Sequence, residues 1–360
     1  MRTLNVPSNI IRSFALYSTK GLIDVAEAEL KEIVSGAVVR ERQDRFLVVA
    51  LTADDAERVG TQARLLDDVR MVVAGPSPVR SEGDLLDLCS VAAAEVEEAV
   101  AGAAGSEPWS VTLSARNPPW RGKPRWDPGP VFARALHGAD PNSTSRCPVD
   151  VRVQIDGEEG HISVNLWDQP VGKRLREIAS SWPGALRPTV AAALVRLAMD
   201  LGGKDAAAIG FYDPFCGSGT IAGEAARRGL AVFASDRSEQ AVELTRQRLA
   251  GMGLALDDLK WRVFTRDVRN GPDQRVTARL VAANLPWGKQ VQVDGALALL
   301  DATALLTAYT LQSGGGAALL TTNEEQLMPR LRRHGLTVGF RRIGLLGQTP
   351  AIVTCSYKPS

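Results

Sequence analysis

Apolar and polar positions along the chain follow two regimes. In the first, short alternating runs are separated by amphipathic stretches. Ser13–Tyr17 reads as a strand, Leu22–Val34 as a Glu-rich helix, Ala37–Arg40 and Arg45–Leu51 as a hairpin, and Ala53–Leu65 as a helix. Gly75-Pro76-Ser77-Pro78 reads as a linker. An amphipathic helix over Asp84–Ala104, an alternating strand over Trp109–Ala115 and a hairpin complete this half; the hairpin joins Cys147–Ile155 to Gly160–Leu166 and turns at Asp156-Gly157.

The second regime has short, mostly apolar strands that alternate with helices, the pattern of an α/β fold with a mostly parallel sheet. An apolar run ends in Asp213, a glycine turn follows, and a helical Ala/Glu pattern starts at Thr220. Leu230–Asp236 is a second strand, Trp261–Phe264 a third, and Arg279–Ala283 a fourth that runs directly into Asn284-Leu285-Pro286-Trp287-Gly288. A helix over Gly295–Gln312, a strand over Ala317–Thr322, a helix over Gln326–His334 and a terminal pair, Leu336–Phe340 with Ala351–Tyr357, follow.

The strand ends carry the candidate chemistry. Gly217 and Gly219 permit unusual backbone angles and leave room for a ligand. No Gly-Lys-Ser/Thr follows, and the Gly-x-Gly-x-x-Gly spacing of dinucleotide sites is missing. An acid at the lip of the turn, Asp213, would repel a pyrophosphate but attract a cation, which suits a zwitterionic, sulfonium-bearing ligand. Asp236 is placed to accept ribose hydroxyls, and Asp267 could accept from an adenine amino group. The Asn284 carbonyl and the Leu285 backbone carbonyl can both accept from an exocyclic amine, aiming its lone pair at an electrophile. Pro286 stiffens that turn, and Trp287 offers a face for a flipped-out base.

Here the chain resembles the class I S-adenosylmethionine methyltransferases that modify nucleobase amines. Leu186-Arg187-Pro188-Thr189-Val190, upstream of Asp213-Pro214-Phe215-Cys216-Gly217-Ser218-Gly219-Thr220, narrows the resemblance to the THUMP-domain RNA guanine-N2 methyltransferases. Ala15–Leu22, followed by an acidic helix, is similar to how these enzymes begin. Leu285 stands where many amino methyltransferases have a second Pro. The resemblance implies a seven-stranded, Rossmann-like α/β catalytic domain preceded by an α+β, THUMP-like RNA-binding region. It divides the chain into a ferredoxin-like piece over 1–78, a THUMP-like domain over 79–168 and a catalytic domain over 169–360. It implies S-adenosylmethionine held by Asp213, Pro214, Cys216, Gly217, Ser218, Gly219, Thr220, Asp236, Arg237, Asp267, Val268 and Asn284, with Arg187 and Thr189. The implied reaction methylates guanosine N2 in tRNA, with large-subunit rRNA as the alternative. An adenine-N6 or cytosine-N4 DNA methyltransferase and a catalytically silent RNA-binding protein are the competing readings.

Charge and cysteine content add bounds. Residues 1–165 carry 18 Lys and Arg against 24 Asp and Glu, an acidic balance that sits awkwardly on a presumed RNA-binding half. It leaves two focal basic patches. One is Arg116, Trp120, Arg121, Lys123 and Arg125, where cations and indoles interleave as single-stranded RNA contacts require. The other is Lys173 and Arg174, with Arg176 and Arg187. Four scattered cysteines argue for reduced thiols in the cytoplasm, and the three histidines show no metal-ligand spacing. A monomer without metal or membrane segment is the expectation.

Overall fold

The strands of the described residues form two sheets, one of eight strands and one of seven. The structure is a computed structural model that describes residues 10–104, 109–116, 139–140, 149–165, 184–252, 261–286, 295–311 and 314–357. Trp120, Arg121, Lys123, Arg125, Lys173, Arg174 and Trp287 lie outside the described residues, and Arg116 is the last residue of its strand.

Contacts divide the chain into two compact units, Met1–Ser18 with Glu27–Val171, and Thr19–Ala26 with Gly172–Ser360. The elements up to residue 165 are β1 (Arg12–Ser18), α1 (Ile23–Ile33), β2 (Val38–Arg42), β3 (Phe46–Leu51), α2 (Ala53–Gln62), β4 (Leu66–Pro78), α3 (Glu82–Ala104), β5 (Trp109–Arg116), β6 (Ala139–Asp140), β7 (Val149–Asp156) and β8 (Glu159–Asn165). The strands form one sheet in the order β2-β3-β1-β4-β8-β7-β5-β6. The expected linker at Gly75–Pro78 is therefore corrected. It is the end of β4, with Ser77 opposite Gly160 and Pro78 opposite Glu159. Pairing of β4 with β8 reaches residue 78 through two register shifts, and the described strands up to Asn165 belong to one sheet.

The two faces of that sheet differ, because period-2 alternation sends successive side chains to opposite sides. Met71, Val151, Val153, Ile162 and Val164 are buried in register on one face, and α3 packs there; a Cβ on the neighbouring Gly160 would come within 3.1 Å of Leu88. The opposite face holds a polar layer. Arg70 is 1% exposed; it donates through Nε to Ser163 Oγ at 3.1 Å and pairs through Nη2 with Asp150 Oδ2 at 3.0 Å. Asp68 receives both Arg70 and Arg152, yet burial still raises its carboxyl above the usual range. Tyr17 and His161 hydrogen-bond at 3.0 Å beside them.

The second unit contains α4 (Pro188–Ile209), β9 (Phe211–Asp213), α5 (Thr220–Arg227), β10 (Val232–Asp236), α6 (Glu239–Gly251), β11 (Trp261–Thr265), β12 (Leu280–Asn284), α7 (Ala296–Thr310), β13 (Gly316–Thr321), α8 (Glu324–Arg333), β14 (Leu336–Arg342) and β15 (Ala351–Tyr357). Its sheet runs β11-β10-β9-β12-β13-β15-β14, parallel except for β15, which is antiparallel to both neighbours. This is the seven-stranded sheet expected from the sequence. Buried Val281, Ala283, Leu285, Leu300, Leu319, Leu327 and Val353 form its core beneath α7 and α8.

The arginines around the last hairpin are largely engaged by acids. Arg330 pairs with Asp301 at 2.7 Å, Arg342 with Glu324 at 2.5 Å, and Arg341 with Asp24 at 2.7 Å. The Gly344 N–H also donates to the Lys20 carbonyl at 3.0 Å, so Thr19–Ala26 is an integral part of this unit.

Candidate active site

Parallel strands deliver their carboxyl ends to one edge of the sheet, and the four flagged residues lie there. Asp213 ends β9, Asp236 ends β10, Asp267 follows β11 by two residues, and Asn284 ends β12. The order β11-β10-β9-β12 places them side by side at the point where the connections reverse direction, the usual ligand position in such sheets.

The chain leaves β9 through Pro214-Phe215-Cys216 into the glycine turn. Gly217 (φ 51°) and Gly219 (φ 77°) are both left-handed, and Gly219 opens α5. Cys216 N–H donates to the Ser235 carbonyl at 2.9 Å, which fastens the turn to β10. Its thiol is buried and pushed well up by burial, consistent with a packing rather than a nucleophilic role. Pro214, Ser218 and Thr220 are buried in the same turn.

Asp213 is fully buried. Its Oδ1 accepts from the Phe215 N–H at 3.2 Å, while Oδ2 has no hydrogen-bond partner among the described residues. Burial, reinforced by the charge of Asp236, pushes its carboxyl up to about 8; the Phe215 N–H and the Ala222 amide of α5 oppose the shift without reversing it. The lip of the turn therefore holds an acid that lacks a positive partner among the described residues.

Asp236 is half-buried and uses one oxygen on each flank, accepting from Gly217 N–H at 3.1 Å and from Ser238 N–H at 3.0 Å. Arg237, exposed beside it, contributes its positive charge at Asp267. The Asp267 carboxylate is gripped by Arg269, from Nε at 3.0 Å and from the backbone N–H at 2.9 Å, and lies below the usual carboxylate range for that reason. Val268 packs into a cluster with Tyr212, Leu299 and Leu306. Arg266 straps the following loop, donating to the Gly271 carbonyl at 2.8 Å and pairing with Asp273 at 3.3 Å.

Asn284 Nδ2 donates to the Gly184 carbonyl at 3.1 Å, which draws the segment before α4 to the end of β12. Arg187 is half-buried in that segment, and Thr189 is buried in the first turn of α4. The Leu285 side chain is 1% exposed in the core, so only its backbone can take part in binding. Pro286 is half-buried beyond it.

Three contributors carried no signal in the strand-end pattern. Thr245 and Arg248, on α6, bind the carbonyls of Gly217 and Ser218 at 3.0 and 2.6 Å. Gly184 fixes the Asn284 amide. Thr245 and Arg248 are spaced as residues of one helix face, a pattern that by itself reads as surface.

Residues 176–341 match the family described as RMKL-like, methyltransferase domain. The second unit has the fold of a class I methyltransferase. A curated relative, tRNA (guanine(6)-N2)-methyltransferase of Thermus thermophilus, is 34% identical over 212 residues. That alignment covers 57% of this chain, and the chain spans 58% of the relative's length. Among solved structures, TrmN from Thermus thermophilus is 25% identical with a TM-score of 0.74, covering 97% of this chain and 100% of that one. A possible methylase from Clostridium difficile 630 superposes with a TM-score of 0.75 at 14% identity, covering 98% and 99% of the two chains. SMU.472, complexed with SAH, superposes at 0.70 with 15% identity over 97% and 99%. At the last two identities the likeness is one of fold. In the methyltransferase unit, no group of His, Cys, Asp and Glu that could hold a metal occurs among the described residues, and no described helix is long and apolar enough to cross a membrane.

Proposed function

We propose that this protein transfers a methyl group from S-adenosylmethionine to the exocyclic N2 amine of a guanosine in tRNA. The observation that carries the reading is Asn284 at the end of β12, beside the strand whose Asp213 opens the glycine turn. The 34% identity to a tRNA guanine-N2 methyltransferase supports the substrate class.

The residues present fit the cofactor. Asp213 Oδ2, buried and without a described partner, suits the cationic methionine end of the ligand, and the left-handed glycines give its backbone close approach. Asp236 would take the ribose hydroxyls, and Asp267 with Val268 the adenine. Arg187, just before α4, and Thr189, in its first turn, would line the approach. When bound, the cofactor supplies an electrophilic methyl carried on a sulfonium.

The chain's own work is orientation. With Nδ2 committed to the Gly184 carbonyl, the Asn284 amide presents its carbonyl as the acceptor for the target amine, and the Leu285 backbone carbonyl is the second. An amide is too weak a base to take the proton, so the amine loses it to water. Pro286 keeps the turn stiff, and Trp287 would stack on the extruded base.

Residues 79–168 are read as a THUMP-like module that selects the RNA, with Arg116, Trp120, Arg121, Lys123 and Arg125 on phosphates and unpaired bases, and Lys173 and Arg174 of the second unit as a further basic patch. Buried free thiols at Cys89, Cys216 and Cys355 suit a cytoplasmic protein, read as a monomer. Asn284→Ala tests the assignment. Calorimetric affinity for S-adenosylhomocysteine should be kept while methyl incorporation falls by on the order of 100-fold, as when one preorganised group leaves a reaction centre. Retained turnover would remove Asn284 from the chemistry.

A further inference from the structure

We propose that Thr245 and Arg248 of α6 are positioning residues that set the peptide planes of the Gly217-Ser218-Gly219 turn for its ligand. The inference rests on reading that turn as the S-adenosylmethionine site.

A turn with two left-handed glycines has little intrinsic reason to keep one shape, because glycine loses more freedom on ordering than any other residue. The helix it feeds does not supply the missing restraint, since Gly219 caps α5 without a side-chain bond. The restraint comes from α6. Thr245 Oγ1 donates to the Gly217 carbonyl at 3.0 Å, and Arg248 Nε donates to the Ser218 carbonyl at 2.6 Å. A Cβ on Gly219 would lie 3.0 Å from the Thr245 Cα, so α6 rests directly against the turn. Thr245 is fully buried, which leaves its hydroxyl no solvent to compete for. Burial disfavours the Arg248 charge, and the charge of the buried Glu224 carboxylate on α5 opposes that shift.

Planarity turns these two bonds into an orientation. In a trans peptide the C=O and N–H point in opposite directions. With the Gly217 carbonyl drawn to Thr245, the Ser218 N–H is directed away from α6. With the Ser218 carbonyl drawn to Arg248, the Gly219 N–H closes on the Cys216 carbonyl at 2.7 Å. Asp236 Oδ2 takes the Gly217 N–H at 3.1 Å. The turn is thus held from β10 and α6, and the Ser218 N–H is the group aimed away from both. A donor presented at the head of a helix suits the anionic end of a ligand, which for S-adenosylmethionine is its carboxylate.

The test uses the full chain as Thr245→Val, Arg248→Met, the double variant and Thr245→Ser, with S-adenosylhomocysteine as the probe. Affinity is read by calorimetry, and turn order by amide hydrogen exchange at residues 216–219 without ligand. The double variant should bind about 10- to 100-fold more weakly, the equivalent of losing one neutral and one charge-assisted hydrogen bond. Thr245→Ser keeps the hydroxyl and should stay within about threefold of the parent. The Gly217 and Gly219 amides should exchange faster in Thr245→Val than in Thr245→Ser. Unchanged affinity and exchange in the double variant would overturn the proposal. So would an equal loss in Thr245→Ser with a matching fall in melting temperature, which marks a packing effect. If no chain binds, the parent included, the reading of the turn as a cofactor site fails, and the exchange comparison still decides whether α6 holds it.

Discussion

Asp213→Asn tests the electrostatic state of the glycine turn. The buried Asp213 carboxyl, ordinarily near 3.8, is raised to about 8 in the folded chain. Each tenfold change in proton affinity is worth about 1.4 kcal/mol, so the charged form carries a folded-state penalty of roughly 6 kcal/mol. The sign follows from proton counting. Between the unfolded and folded values the native state holds a proton that the unfolded chain has lost, so stability falls as pH rises through that window. The ligand-free protein should lose about 2–3 kcal/mol from this residue between about pH 5.5 and about pH 7.5. Asn cannot titrate, so the variant should lack that slope. Any cost of burying its amide enters as a constant offset. His161, held down to about 4 by burial and by Arg70 and Arg152, contributes in the opposite direction, its share being lost as pH falls below 6.5. It is present in both proteins, so the difference between their denaturant-unfolding curves isolates Asp213. S-adenosylhomocysteine, whose ammonium supplies the missing partner, should release up to one proton on binding the parent near neutral pH, seen as a buffer-dependent calorimetric enthalpy. Identical pH slopes in parent and variant would refute the picture of a neutral acid awaiting a cation.

Three further outcomes follow from the same geometry. Asp236→Ala should weaken S-adenosylhomocysteine binding by about 1–3 kcal/mol by calorimetry, the range for hydrogen bonds to a charged group. Gly219→Ala should destabilise the protein to denaturant by about 1–3 kcal/mol, because it puts a Cβ at φ 77° and 3.0 Å from the Thr245 backbone. Arg70→Met should cost about 3–5 kcal/mol of unfolding stability by removing the buried one of the two cations that Asp68 and Asp150 share, leaving them only the more exposed Arg152, while cofactor affinity is retained.

The catalytic sheet was legible because its central strands β9, β12 and β13 are buried on both faces and its strands end in polar residues, so apolar runs and polar strand ends coincide at Asp213, Asp236 and Asn284. Thr245 and Arg248 were not legible. Their partners are backbone carbonyls 28 and 30 residues away in sequence, and a Thr or Arg on a polar helix carries no mark of such a bond. Gly75–Pro78 misled in the other direction. Glycine and proline usually punctuate, yet here they close β4, where pairing with β8 already shifts register between Val72 and Ala74 and again before Ser77. No local pattern marks the acid that meets Arg341 on the last hairpin, since it is Asp24, 317 residues away. That pairing places Thr19–Ala26 with the catalytic sheet, so a cut at residue 165 would remove part of the methyltransferase unit.

Nucleoside mass spectrometry tests methylation of a guanosine amine in tRNA most directly. The full chain is incubated with S-adenosylmethionine and unmodified tRNA, with large-subunit rRNA and duplex DNA in parallel, and the products are digested to nucleosides. N2-methylguanosine from tRNA, absent with Asn284→Ala, is the expected result. Methyl groups found only on adenine or cytosine of DNA, or on no nucleic acid at all, would contradict it.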